Sequence, residues 1–303
     1  MDDSNEVRRI IAGLVPQVTI TGTPKPSGQR LVYFVDIHDA VQQAPCGPAV
    51  LKISKGASAR AIAYLQKEID VLRQLNSPHF PTLYYNDAFS HDPDSEEPLD
   101  ERFFITIEER IHGNTLAAVK RDYQHPKAAL EILIQLVTAA STLWSMRPSR
   151  VHRDIKPDNI MIREDSQVCL IDLGILREEG DRGTTATAAP HGPCTPCYSS
   201  PEQANNDKKN ISFKSDIFSI GVVGYELISG ENPYCNDKHI GIEEVFEKIL
   251  TSPPKPLSEI CGVDEDVSNI INCMLMRHPY QRPRSPQILI KRLREILENK
   301  QWA

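Results

Sequence analysis

The stretch "HRDIKPDN" (152–159) decides how this chain is read. It sets Asp154, Lys156, Asp158 and Asn159 around a single proline, and Pro157 followed by Asp158 is a turn former. Upstream, "PKAALEILIQLVTAASTLWSM" (126–146) is a strongly amphipathic helix by its spacing of apolar residues. Downstream, "IMIRE" and "QVCLIDLG" are short strand-like pieces, the second ending in Asp172-Leu173-Gly174, thirteen residues after Asn159. A polar loop is thus held between a helix and two strands. Taken singly, Asp158 is only a turn residue and Asp172 only a strand-end residue.

Working outward, the first third is strand-like: "QVTITGT", "QRLVYFVDI", "PAVLKISK" (48–55), "TLYYNDAF" and "RFFITIEERI" carry β-branched and aromatic runs bounded by Gly and Pro. Between them, residues 59–75 place Ile62, Leu65, Ile69, Leu72 and Leu75 at helical spacing. Beyond the central loop, helical patterns run over 214–229, 242–250, 265–276 and 285–298. A strand-rich region leading into a helix-rich one is an α+β arrangement.

Composition removes several functional classes. The formal charge of −7 gives no electrostatic reason to bind nucleic acid. The acidic run "DPDSEEPLDE" (92–101) reads as a solvated loop. No run approaches 18 apolar residues, and the longest candidate, "IFSIGVVGYELISG" (217–230), is interrupted by Gly and Glu, so no membrane segment is expected. Seven scattered cysteines fit reduced thiols better than a disulfide framework. The expected location is cytoplasmic.

Read together, "AVLK" (49–52), a helix carrying Glu68, "HRDIKPDN", "DLG", "SPE" (200–202), "SDIFSIG" (215–221) and Arg282 stand in the order of the protein kinase catalytic core. The chain resembles eukaryotic-like Ser/Thr protein kinases, and its wording is similar to the bacterial members. The resemblance implies a bilobal α+β fold: an extension at 1–15, a β-rich N-lobe with hinge at 16–112, and an α-helical C-lobe at 113–303. It implies transfer of the ATP γ-phosphoryl group to a protein hydroxyl, with the chain itself, in trans, among its substrates. Asp154 is then the catalytic acceptor of the hydroxyl proton and Lys156 the neutraliser of the γ-phosphate. Asn159 and Asp172 become hard-oxygen ligands for Mg²⁺, or Mn²⁺. Lys52 meets the α- and β-phosphates, oriented by Glu68. Glu109 and Ile111 offer backbone groups to adenine, and either Ile107 or Glu108 stands behind the ring, depending on strand register. Asp216 is expected to bind amides of the catalytic loop, and Glu202 to pair with Arg282.

The phosphate-binding loop departs from the family. "ITGTPKPSGQRLVYFV" has only Gly22 and Gly28, and Pro24 and Pro26 remove two amide donors. A catalytically silent nucleotide-binding scaffold and a small-molecule kinase therefore stand as alternatives. The activation segment, 183–196 by resemblance, offers Thr185 and Thr187 as phosphorylation sites and Thr195 as the residue whose hydroxyl reaches Asp154 and Lys156. Around Thr195 runs "HGPCTPC" (191–197), which looks like a metal or redox motif. None of the nine histidines is followed two residues later by Glu, which a zinc deaminase requires. His191, Cys194 and Cys197 lack a fourth ligand, so no zinc is expected. Reversible oxidation of Cys194 with Cys197 stays open.

Overall fold

Strand β3 (Arg30–Ile37) shows how the first part of the chain folds. Its side chains alternate strictly, with Leu31, Tyr33, Val35 and Ile37 buried. That period of two places one row in a core and the other on the opposite face. The computed structural model describes residues 11, 13, 17–23, 25–27, 30–39, 45–56, 59–91, 95–173, 177–178, 194–237 and 240–302. Gly28, Gly174, Thr185, Thr187 and His191 lie outside them.

Two compact units divide the chain, Met1–His112 and Gly113–Ala303. In the first, β1 (Val18–Ile20) and β2 (Lys25–Ser27) both pair antiparallel with β3. The sheet continues through β4 (Gly47–Gly56) and β6 (Pro98–Glu109) to β5 (Leu83–His91). The buried row of β3 meets Ala49, Leu51 and Ile53 of β4 and Phe103, Ile105 and Ile107 of β6 in one apolar cluster. Helix α1 (Ala59–Gln74) packs against β4, β5 and β6. The acidic run expected to be all loop is partly strand: His91 pairs with Pro98, so its last four residues start β6.

In the second unit, β7 (Gly113–Thr115) leads into the short α2 (Leu116–Val119), and α3 (Pro126–Trp144) follows. His125 caps α3 by accepting the amide of Lys127, with Pro126 at the first helical position. The strand pair β8 (Arg150–Val151) and β11 (Arg177–Glu178) and the sheet β7–β9–β10, with β9 (Ile160–Arg163) and β10 (Val168–Leu170), flank the polar loop. Then come α4 (Pro201–Ala204), α5 (Phe213–Ser229), α6 (Ile242–Thr251), α7 (Leu257–Cys261), α8 (Glu265–Met274) and α9 (Pro286–Asn299). Helix α5 is the hub. A Cβ on Gly224 would come within 2.8 Å of Leu133 on α3, and one on Gly221 within 2.9 Å of Met274 on α8. Only glycine lets these helices approach so closely.

By length and composition, α3 alone among the described helices could cross a membrane. Its apolar residues, Leu130, Leu133 and Leu136 among them, are instead buried in the helical unit, against α5 and α9.

One expectation about cysteine fails. Cys197 and Cys235 form a disulfide, 38 residues apart in sequence with Cα atoms 5.7 Å apart. Sequence spacing carried no sign of it, because α5 and its following turn bring the second sulfur back to the first. Closing a loop of that size restricts the unfolded chain by roughly 3–4 kcal/mol. Cys235→Ser is therefore expected to lower the denaturation midpoint, read from the fluorescence of Trp144 and Trp302 in this same unit. An unchanged midpoint in both the variant and the reduced wild type would show that the bridge contributes nothing.

Candidate active site

The polar loop between β8 and β9 is held by hydrogen bonds to many of its backbone groups. Asp216, at the first turn of α5, accepts the amides of His152 and Arg153 at 2.9 and 2.8 Å and the Trp144 indole N–H at 2.8 Å. The amide of Asp154 donates to His152 Nδ1, Gln203 Nε2 donates to the Arg153 carbonyl, and Asn159 Nδ2 to that of Asp154. Arg153 has φ +71°, an uncommon conformation for a side chain of its size, and these bonds hold it there. Asp216 is fully buried, and desolvation pushes its pKa above the usual carboxylate range despite His152 and the donors around it.

That frame aims three side chains at one another. Thr195 Oγ1 donates to Asp154 Oδ1 at 2.6 Å and accepts from Lys156 Nζ at 2.7 Å. Lys156 also pairs with Asp154 Oδ2 at 2.9 Å, and Asn159 Nδ2 donates to that oxygen at 2.9 Å. Asp154 is a carboxylate held by one cation, one amide and one hydroxyl.

Asn159 immediately precedes β9, and Asp172 lies two residues beyond β10. Ile160 faces Leu170 in their antiparallel register, and the Ile171 amide donates to the Asn159 carbonyl. The two side chains thus stand at the same end of one hairpin. Asn159 spends its NH₂ on Asp154, which leaves Oδ1 out of those bonds. Asp172 has φ +69°. Among the described residues no three His, Cys, Asp or Glu side chains cluster as metal ligands. Two protein oxygens completed by phosphate and water is how Mg²⁺ is commonly held, so the pair fits that ion.

Thr195 stands on its own platform. Ser199 donates to its carbonyl, Tyr198 donates to Glu226 at 2.5 Å, and Asn232 donates to the Cys197 carbonyl. Burial raises the Tyr198 pKa, with Glu226 adding to the effect. The cysteines flanking Thr195 do not pair with each other, since Cys197 is disulfide-bonded to Cys235 and Cys194 takes no part in that bridge. Burial pushes the Cys194 thiol upward, away from the reactive thiolate. Below this platform, Arg282 donates to both oxygens of Glu202 at 2.7 and 2.9 Å. Its remaining N–H groups go to the carbonyls of Met276, Lys214 and Arg277.

In the strand-rich unit the ion pairs differ from expectation. Lys52 on β4 donates to Glu108 Oε2 at 2.7 Å. Glu68 on α1 is instead taken by Arg30, whose two terminal nitrogens meet its two oxygens, one of them at 2.7 Å. The expected pairing of Glu68 with Lys52 is thus not the one formed in this structure. Register explains it: Lys52 faces Thr106 and Val50 faces Glu108, so Lys52, Thr106 and Glu108 share one face of the sheet, while Ile107 joins the apolar core on the other. Glu109 donates its amide to the Thr82 carbonyl at 2.8 Å and accepts the Thr82 amide and hydroxyl on its carboxylate. Ile111 lies just beyond the end of β6. Gly22 sits between β1 and β2, and a Cβ there would meet nothing within 4 Å, so local crowding does not require glycine at this position.

Sequence reading passed over Trp144, Gln203, Arg30 and Cys235. Each acts through a partner far along the chain, and no local motif marks it.

A family model described as protein kinase domain matches residues 35–293. Serine/threonine-protein kinase PknL of Mycobacterium tuberculosis is 31% identical over 189 residues, which is 62% of this chain and 45% of that protein. PknB of the same organism is 32% identical over 197 residues, covering 62% and 29%. Serine/threonine-protein kinases drp72 of Corynebacterium efficiens is 27% identical over 284 residues, covering 92% of this chain and 51% of its own. The chain spans about half the length, or less, of these curated relatives.

Proposed function

Because this chain belongs to the protein kinase family, we propose that it transfers the γ-phosphoryl group of ATP to serine and threonine hydroxyls of proteins, itself included. The observation that carries the proposal is the closed triangle of Asp154, Lys156 and Thr195. Asp154 Oδ1 accepts a hydrogen bond from a threonine hydroxyl at 2.6 Å, which supports a role for it as acceptor of the proton of a substrate alcohol placed there. Lys156 holds a positive charge 2.9 Å from that carboxylate, where charge on a transferring phosphoryl group needs neutralising. Bound ATP with its Mg²⁺ supplies the activated phosphoryl group. Asn159 and Asp172 would hold the metal, and Lys52 the α- and β-phosphates. Thr185 and Thr187 are the sites at which the chain would phosphorylate itself. We place the chain in the cytoplasm, where ATP is abundant, so that Cys197–Cys235 would face a reducing thiol pool.

The platform from Thr195 to Ala204 favours protein over small-molecule acceptors, since it is built into the helical unit by Gln203, Glu202 and the disulfide. The test is transfer from γ-labelled ATP, with modified residues located by mass spectrometry. Phosphoserine and phosphothreonine on protein are expected. Thr195→Ser should retain activity within about threefold, while Thr195→Val should lose roughly 10–100-fold in kcat, the worth of hydrogen bonds to charged partners. Label on small molecules alone would turn the assignment to a metabolite kinase, and nucleotide binding without turnover to a scaffold.

A further inference from the structure

One face of the strand-rich sheet carries a row of charge beneath α1. Arg30 faces Ser54 across β3 and β4, Lys52 faces Thr106 across β4 and β6, and Glu108 lies diagonally beyond Lys52. Leu65, Glu68, Ile69 and Leu72 of α1 close over the same space. The row and α1 together bring two cations and two carboxylates, each well shielded from water: the side chains of Arg30, Lys52, Glu68 and Glu108 are 12, 14, 10 and 3% exposed.

From this we infer that Glu108, supplied by the sheet itself, is the positioning residue for Lys52, while Glu68 serves with Arg30 to fasten α1 to the sheet. The inference rests on the kinase reading in assigning phosphate contact to Lys52. Charge accounting supports it. Drawing Glu68 onto Lys52 would take it from Arg30 and leave Glu108, the more buried of these two carboxylates, with the Thr106 hydroxyl at 2.8 Å in place of a cation. Leaving a buried charge without its partner is strongly unfavourable. Geometry supports it too. Lys52 and Glu108 stand on neighbouring strands of one ladder, where diagonal neighbours lie within reach of long side chains. Their pairing is therefore set by strand register and not by the placement of a helix.

The experiment compares Glu108→Gln, Glu68→Gln and Arg30→Met for ATP affinity by equilibrium binding of ATP with Mg²⁺, alongside KM and kcat where turnover is present. Glu108→Gln is expected to raise Kd and KM for ATP at least tenfold with a smaller change in kcat. In a Lys52→Met background the same substitution should change Kd less than twofold, which a general structural defect would not reproduce. Glu68→Gln and Arg30→Met should each raise KM for ATP less than threefold while lowering the thermal midpoint. A tenfold rise with Glu68→Gln overturns the inference even if Glu108→Gln fails to fold. So does a Glu108→Gln chain that binds ATP as wild type does, or gains activity. Wild type lacking any Lys52-dependent ATP binding would bring down the kinase reading itself, an outcome visible before the variants are compared.

Discussion

Asp154→Asn should lower kcat by about 10³-fold, within the range that a positioned general base contributes, while KM for ATP changes less than about threefold. The carboxylate uses both oxygens: Oδ1 accepts from Thr195, and Oδ2 from Lys156 and Asn159. A carboxamide keeps one acceptor and replaces the other with an NH₂. With its NH₂ on the Oδ2 side it sets a donor against the donors Lys156 and Asn159; with its NH₂ on the Oδ1 side it can only donate to a hydroxyl and cannot take that hydroxyl's proton. The proton that leaves the alcohol has no base to receive it. The loop itself should survive, because its backbone is held by Asp216, Gln203 and His152 through main-chain groups. Label transfer under saturating ATP, beside a circular dichroism spectrum matching wild type, checks this. Retention of more than a tenth of wild-type kcat would remove Asp154 from the chemistry.

The largest effect on stability is expected at Arg282. It is 1% exposed, and its five N–H bonds reach Glu202 and the carbonyls of Met276, Lys214 and Arg277. The guanidinium also stacks 4.9 Å from the centre of the Phe218 ring. Arg282→Met fills much of the same volume but leaves Glu202 buried with the Ser215 hydroxyl in place of its cation. Breaking such a pair costs about 3–5 kcal/mol, or roughly 10 °C in the midpoint of a unit this size. Removing both charges in Glu202→Gln/Arg282→Met should recover part of the loss, since the uncompensated carboxylate is gone. Denaturation followed by tryptophan fluorescence distinguishes the two. A single variant within 1 kcal/mol of wild type would show that the pair is not holding α4 to the end of the helical unit.

What the sequence determined by itself is what short-range chemistry encodes. Periodicity of 3.6 placed the long helices to within two residues of their ends, as in 126–146 against Pro126–Trp144. A run of β-branched and aromatic residues placed β3, and "HRDIKPDN" put Asp154, Lys156 and Asn159 within six residues of one another, so their meeting needed little more than a loop. Even the Glu202–Arg282 pair was legible, because each member sits in a recognisable motif. Tertiary structure alone decided the partners that depend on register and on returns of the chain. Glu108 reached Lys52, and Ile107 the core, because β4 and β6 pair in one register where a single-residue slip would have exchanged them. Arg30 captured Glu68 across 38 residues of sequence, and Cys235 took Cys197 away from Cys194. In each case the competing partners are alike in charge or reactivity, so residue type cannot choose between them. Distance, fixed only when the sheet and the α5 turn have formed, makes the choice.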